Sequence, residues 1–147
     1  MKKKLVWWFL VILWCSMIFY QSGKPAVQSA QESGYITLWL NRFFTGVFGE
    51  GSLAVKDGFI RKSAHFFEYM VLGCLFFNAL KSYKRLGQTL ALSMVFSVAY
   101  AISDEIHQFF VPGRAMRIFD IGVDSLGIAL GTILLYFYSR KRLKDVV

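Results

Sequence analysis

Three short stretches of this 147-residue chain hold the residue types that bind anions and move protons. The first is Arg61-Lys62-Ser63-Ala64-His65-Phe66-Phe67-Glu68-Tyr69. Its Arg61, His65 and Glu68 stand at i, i+4 and i+7, so a helix carries them on one face, with Lys62 and Tyr69 on another. A histidine one turn from a carboxylate is equipped as a general base, the carboxylate setting its tautomer. In the second stretch, Asp104-Glu105-Ile106-His107-Gln108, Asp104, His107 and Gln108 share a face while Glu105 points elsewhere. Pro112-Gly113 follows as a turn signal, which sets Arg114 and Arg117 on a short loop where guanidinium groups can meet an anion. The third stretch, Asp120-Ile121-Gly122-Val123-Asp124, repeats its acid at i+4, and Gly127 and Gly131 continue that stripe. Small residues there, and Gly73 near the first face, permit close helix approach and turn the carboxylates inward.

This chemistry divides into roles. His65, Glu68, Asp104, Glu105 and Asp124 are the candidate catalytic groups. Arg61, Lys62, Gln108, Arg114 and Asp120 are the candidate ligand-binding groups, with arginine offering bidentate geometry and lysine a point charge. His107, at a helix end, is the weaker histidine and is expected to be solvated. The acids with one histidine make a conceivable oxygen-rich metal site, suited to Mg²⁺, Mn²⁺ or Ca²⁺ more than to zinc. No spacing matches a known metal motif, so a divalent cation is the only cofactor class considered and no ligand set is assigned. Blander readings stand beside these. Arg61, Glu68 and the aspartates also suit a buried salt-bridge lattice that fixes helix register. Tyr69, Trp39 and Tyr35 read as interfacial aromatics. Cys15 and Cys74 lack CxxC or zinc spacing and read as small core residues.

The elements that position these groups are membrane helices. The chain is 56% hydrophobic and 18% aromatic, with mean hydropathy +0.47, too apolar for a soluble domain of this size. The expected fold is all-α, a four-transmembrane-helix bundle forming one domain over 1–147. A span needs roughly 17–25 residues; Phe59–Leu80, Gln88–Ile106 and Ile118–Tyr138 fall in that range, and Leu5–Tyr20, just short of it, is uninterrupted and reads as a fourth span. The first, rich in Trp and Phe, reads as an uncleaved span rather than a signal peptide. The net charge is +8, and ten of the 17 Lys and Arg residues flank Leu5, follow Leu80 or follow Tyr138. By the positive-inside rule both termini are then cytoplasmic and the polar ends of spans two to four face outward. This clustering also explains the basic charge without nucleic acid. Gln21–Asp57 reads as an outer loop, small and polar to Gly34. From Tyr35 to Phe48 it becomes an amphipathic helix that lies on the outer leaflet or packs over the bundle mouth.

The strings RKSAHFFEY, SDEIHQFFVPGR and DIGVDSLG resemble the motifs of the VanZ-like family, in order and on the expected spans, from the Ser22 region to Gly131. The family's marked positions fall here on Arg61, Lys62, His65, Glu68, Asp104, Glu105, Gln108, Pro112, Gly113, Arg114, Asp120, Asp124 and Gly127. The resemblance implies a small bacterial cytoplasmic-membrane protein linked to teicoplanin resistance, and no established reaction. The leading expectation is an outward-facing pocket acting on an anionic envelope component, a lipid-linked phosphate or a peptidoglycan-precursor head group, as a hydrolase or transferase. The competing expectation is a non-enzymatic protein that binds or masks the drug or its target. A transporter or channel is weaker, because the inner halves of the spans carry almost no charge.

Overall fold

The structure, a computed structural model, describes residues 2–49 and 54–145. Five helices follow in order: α1 (Lys2–Ser22), α2 (Ala26–Phe48), α3 (Asp57–Leu80), α4 (Leu86–Phe109) and α5 (Ile118–Lys144). Four of them, all but α2, are long and apolar enough to cross a membrane. The protein is therefore a helical membrane protein. Spans of this kind satisfy every interior backbone group within the helix, which hydrocarbon demands. Most helix ends lie within three residues of the apolar runs; α5 alone runs well past Tyr138, and Lys141, Arg142 and Lys144 in its last turn complement the helix dipole.

Helix α3 is the hub and touches every other helix. Its closest partner is α5, which runs parallel to it. A Cβ placed on Gly127 would strike the Phe66 carbonyl, one on Gly131 would come within 2.6 Å of the Met70 carbonyl, and one on Gly73 would lie 3.2 Å from the Ile128 carbonyl. The glycines thus let two backbones touch where side chains would hold them apart, the small-xxx-small geometry of membrane helices. Around this contact lies a core of Ile18, Tyr69, Leu72, Ala101 and Ile128. Helix α1 is pinned by two polar side chains: Trp14 Nε1 donates to the Glu68 carbonyl at 2.9 Å, and Tyr100 Oη donates to the Cys15 carbonyl at 2.6 Å. Cys15 and Cys74 are both half-buried and unpaired.

The expected loop before Tyr35 is helical from Ala26 onward. Apolar periodicity is absent there, but Ala, Gln and Glu favour helix and Pro25 precedes the first turn, where its fixed φ suits helix initiation. Helix α2 packs only against α3 among the helices, and the reason is its i, i+4 polar stripe of Ser29, Ser33, Thr37 and Asn41. Thr37 Oγ1 donates to Asp57 Oδ1 at 3.1 Å, while Asn41 Nδ2 donates to the Val55 carbonyl at 3.1 Å and its Oδ1 accepts from the Val55 amide at 2.7 Å. The opposite face exposes Tyr35, Leu38, Trp39, Phe43 and Val47. Its polar side holds the protein and its apolar side is turned away from it.

The glycine contact sets an expectation. Gly127→Ala lowers the midpoint for heat-induced loss of monodisperse, detergent-solubilised protein, at a cost of about 1–3 kcal/mol for overpacking. Gly122→Ala, whose Cβ would meet nothing within 4 Å, leaves it unchanged or higher.

Candidate functional site

The polar ends of α3, α4 and α5 meet at the end of the bundle away from both termini. Helix α3 supplies Arg61, Lys62, His65 and Glu68, and α4 supplies Asp104, Glu105 and Gln108. The α4–α5 loop supplies Arg114 and Arg117, and α5 supplies Asp120 and Asp124. The turn forecast at Pro112-Gly113 is present: Gly113 has φ +77°, and the Arg114 amide donates to the Val111 carbonyl at 3.1 Å. That left-handed φ suits glycine, and the turn swings Arg114 back over the bundle.

Arg114 then joins three parts of the chain. Its Nη1 donates to Gln108 Oε1 at 3.0 Å and its Nε to the Lys24 carbonyl, in the α1–α2 link, at 2.9 Å. Gln108 Nε2 passes the chain on to Asp104 Oδ2 at 3.0 Å. Burial, then the nearby Arg61 charge, push the Arg114 guanidinium below its ordinary pKa, against the pull of Asp104, Glu105 and Glu68. Glu105 points away from this chain, as its helical position requires, and its Oε2 accepts from the Arg117 amide at 2.9 Å, just ahead of α5.

His65 lies under this layer. The carboxylate facing its Nδ1 is Asp124 of α5, with Oδ1 at 3.7 Å, rather than Glu68 on its own helix. That distance is within ion-pair range and beyond a hydrogen bond. Tyr69 is not an interfacial aromatic: it is fully buried and stacks one turn below His65, ring centroids 6.5 Å apart. The i+4 spacing from His65 carried that information, which the residue's type obscured. Tyr35 and Trp39, by contrast, are exposed. His107 is not simply solvated either. It is half-buried, its Nδ1 lies 3.1 Å from Ser22 Oγ, and its ring stacks on Phe19 at 4.2 Å. No spacing within one helix could reveal this contact between α1 and α4.

Two cavities open at this end. One, of about 110 Å³, is lined by Arg61, Lys62, His65, Gln108, Arg114, Arg117 and Asp120. The other, of about 170 Å³, lies beneath α2 and is lined by Arg61, His65, Glu68, Asp104 and Arg114 together with residues of α1, α2 and their link. Each far exceeds the roughly 10–15 Å³ that one water requires. Lys62 extends its ammonium over the Phe119 ring at 4.0 Å. Ten candidate residues thus gather on two adjoining cavities and the buried layer beneath them.

Many of these groups lack a protein partner. Among the described residues, the buried atoms without a hydrogen bond include His65 Nδ1, Tyr69 Oη, Asp104 Oδ1, Glu105 Oε1, Asp120 Oδ1 and both oxygens of Asp124. An orphaned buried polar group costs about 1–3 kcal/mol, so this end of the bundle is strained for polar partners. Among the described residues, no three His, Cys, Asp or Glu side chains gather as a group able to hold a metal ion. The acids and His65 share the region without converging on one point.

The model of the VanZ/LLP1 family matches residues 7–139. The chain belongs to the VanZ/LLP1 family. The match takes in both cavities, the glycine contact of α3 with α5, and α2. No curated protein and no solved structure matches the chain.

Arg114 generates a direct expectation in this VanZ/LLP1 chain. Arg114→Lys keeps the charge but loses the planar fork, which frees both Gln108 and the Lys24 carbonyl. Hydrogen–deuterium exchange of the Gly23, Lys24 and Ala26 amides then rises at least several-fold, while exchange in the middle of α5 is unchanged.

Proposed function

We propose that this protein binds the anionic head group of an envelope lipid, a lipid-linked phosphate or peptidoglycan precursor, at the outer face of the bacterial cytoplasmic membrane, and so lowers susceptibility to teicoplanin. One observation carries the reading: the bases and acids of the site are not spent on one another. Among the described residues the ion pair between fixed charges is Lys24–Glu32, and His65 Nδ1 stands 3.7 Å from Asp124 Oδ1, so Arg61 and Lys62 line a cavity without a carboxylate partner. A salt-bridge lattice whose only task was helix register would pair them with the acids nearby. Unpaired bases beside a polar cavity are instead what an incoming phosphate or carboxylate needs.

The family supports the teicoplanin connection through its name alone. The orientation rests on the basic clusters around Lys81–Arg85 and Arg140–Lys144, which belong on the cytoplasmic side and leave both cavities outside. In the catalytic form of the proposal, the bases fix the head group and His65, backed by Asp124, takes a proton from an attacking hydroxyl or water. Glu68, Asp104 and Glu105 orient the reacting groups. The non-enzymatic form, binding or masking of drug or target, draws support from α2, whose exposed Tyr35, Trp39 and Phe43 would lie in the outer leaflet.

Susceptibility assays at matched protein level separate the forms. Arg61→Gln loses the protective effect wherever the head group is bound in the cavity, and keeps it if α2 alone masks the surface. His65→Ala and Asp124→Asn abolish it only if the site performs proton chemistry, and full protection by both variants leaves binding or masking as the function. The orientation has its own check: a reporter active only outside the cytoplasm, fused at the C-terminus, stays silent, and activity there overturns the outward placement.

A further inference from the structure

The two cavities open in different directions. Of the residues lining the first, Lys62, Gly113, Ala115 and Arg117 are exposed. Three of these belong to the α4–α5 loop, so this space opens at the end of the bundle. Of the residues lining the second, Gln21 of α1, Glu32 and Ile36 of α2 and Ala64 of α3 are exposed. Its mouth therefore lies on the flank, where α1, α2 and α3 part, and α1 and α2 do not pack against each other. Exposed apolar side chains border this mouth. Ile36 is on its rim, Tyr20 precedes Gln21, Met17 lies one turn below Gln21, and Phe67 lies one turn below Ala64. Glu32, the charged residue of the rim, is already paired with Lys24. Helices α1 and α3 are long and apolar enough to cross a membrane, and an apolar flank on such helices meets lipid. Arg61, His65 and Arg114 line both cavities, so the flank opening and the end opening lead to the same three side chains.

We infer that the cavity beneath α2 is a lateral doorway, resting on the anion-binding reading above: a lipid enters sideways from the surrounding leaflet, brings its head group to Arg61 and Arg114, and keeps its hydrocarbon chain in the mouth between α1, α2 and α3. A head group that came through the first cavity would drag its chain out of the bilayer, and every methylene brought into water is costly. The flank route holds the chain against Ile36, Ile60 and Ala64 instead. The cavity measures about 170 Å³, and a space of about 150 Å³ accommodates benzene in an apolar core. It thus seats the first few carbons next to the phosphate and leaves the rest of the chain in the leaflet. The first cavity, open at the end of the bundle, admits water to the same anion without disturbing the chain.

Two soluble probes, ethyl phosphate and dodecyl phosphate, test this by titration of the full chain in a neutral maltoside detergent, with protein-free micelles as the reference for partitioning. The wild type binds both. Ala64→Trp fills the mouth and raises the Kd for dodecyl phosphate at least about tenfold, while the Kd for ethyl phosphate stays within about twofold. Ile36→Trp, on the exposed side of α2, does the same and serves should Ala64→Trp fail to give monodisperse protein. Leu126→Trp, exposed on α5 and lining neither cavity, changes neither value. Dodecyl phosphate bound as tightly by the mouth variants as by the wild type overturns the doorway and leaves the anion site standing. An equal loss of both probes overturns it too, because the mouth would then serve the anion and not the chain. A wild type that binds ethyl phosphate and rejects dodecyl phosphate overturns it likewise, and binding of neither probe overturns both readings together.

Discussion

Everything at the polar end depends on how closely the α3 and α5 backbones approach. Gly73, Gly127 and Gly131 remove the side chains that would separate them, and the parallel pair locks with Gly127 against Phe66. One residue before Phe66 is His65, and one turn before Gly127 on α5 is Asp124. The backbone contact therefore delivers the histidine and the buried acid to each other. Lipid tails supply no hydrophobic force between helices, so dispersion contacts of this kind are what hold such a pair together. The interaction that builds the bundle also fixes the spacing of His65 and Asp124.

The second constraint is the scarcity of hydrogen-bond partners in a membrane interior. Elsewhere the protein meets it locally: Thr132 and Ser93 donate to carbonyls of their own helices, and the Trp14 and Tyr100 side chains find carbonyls across α1. At the polar end the same economy stops. Asp104, Glu105, Asp120 and Asp124 keep oxygens without partners although Arg61 and Lys62 stand on the same end of the bundle. Of the described buried groups without a partner, Ser97 Oγ lies in the middle of a span and the rest gather toward the polar end.

Much of this was legible in the sequence because helical spacing fixes which side chains share a face. The four spans, the inward turn of Asp124, the Asp104–Gln108 pairing, the divergence of Glu105 and the Pro112-Gly113 turn follow from local periodicity alone. What escaped was tertiary. The partner of His65 comes from α5 and not from its own helix, because the crossing of α3 with α5 brings Asp124 nearer than the next turn brings Glu68. His107 met Phe19 and Ser22 through the packing of α1, which no span boundary encodes. The helix before Tyr35 was hidden because its inner face is polar: Ser29 and Ser33 face inward there, and hydrophobic periodicity is blind to a stripe of hydroxyls.

Arg114 has a consequence for the thermodynamics of whatever enters the two cavities. A long flexible side chain normally surrenders rotamer freedom when it closes on a ligand, at about 0.5–1.5 kcal/mol for an immobilised side chain of this kind. Arg114 has surrendered that freedom on folding, since Nε and Nη1 are already engaged, while the remaining donors of the guanidinium are uncommitted. The entropy of fixing it is charged to folding and not to association. On the head-group reading proposed above, an anionic ligand would close on this arginine with little further loss of its side-chain freedom, and the remaining ordering would fall to Arg61 and Lys62.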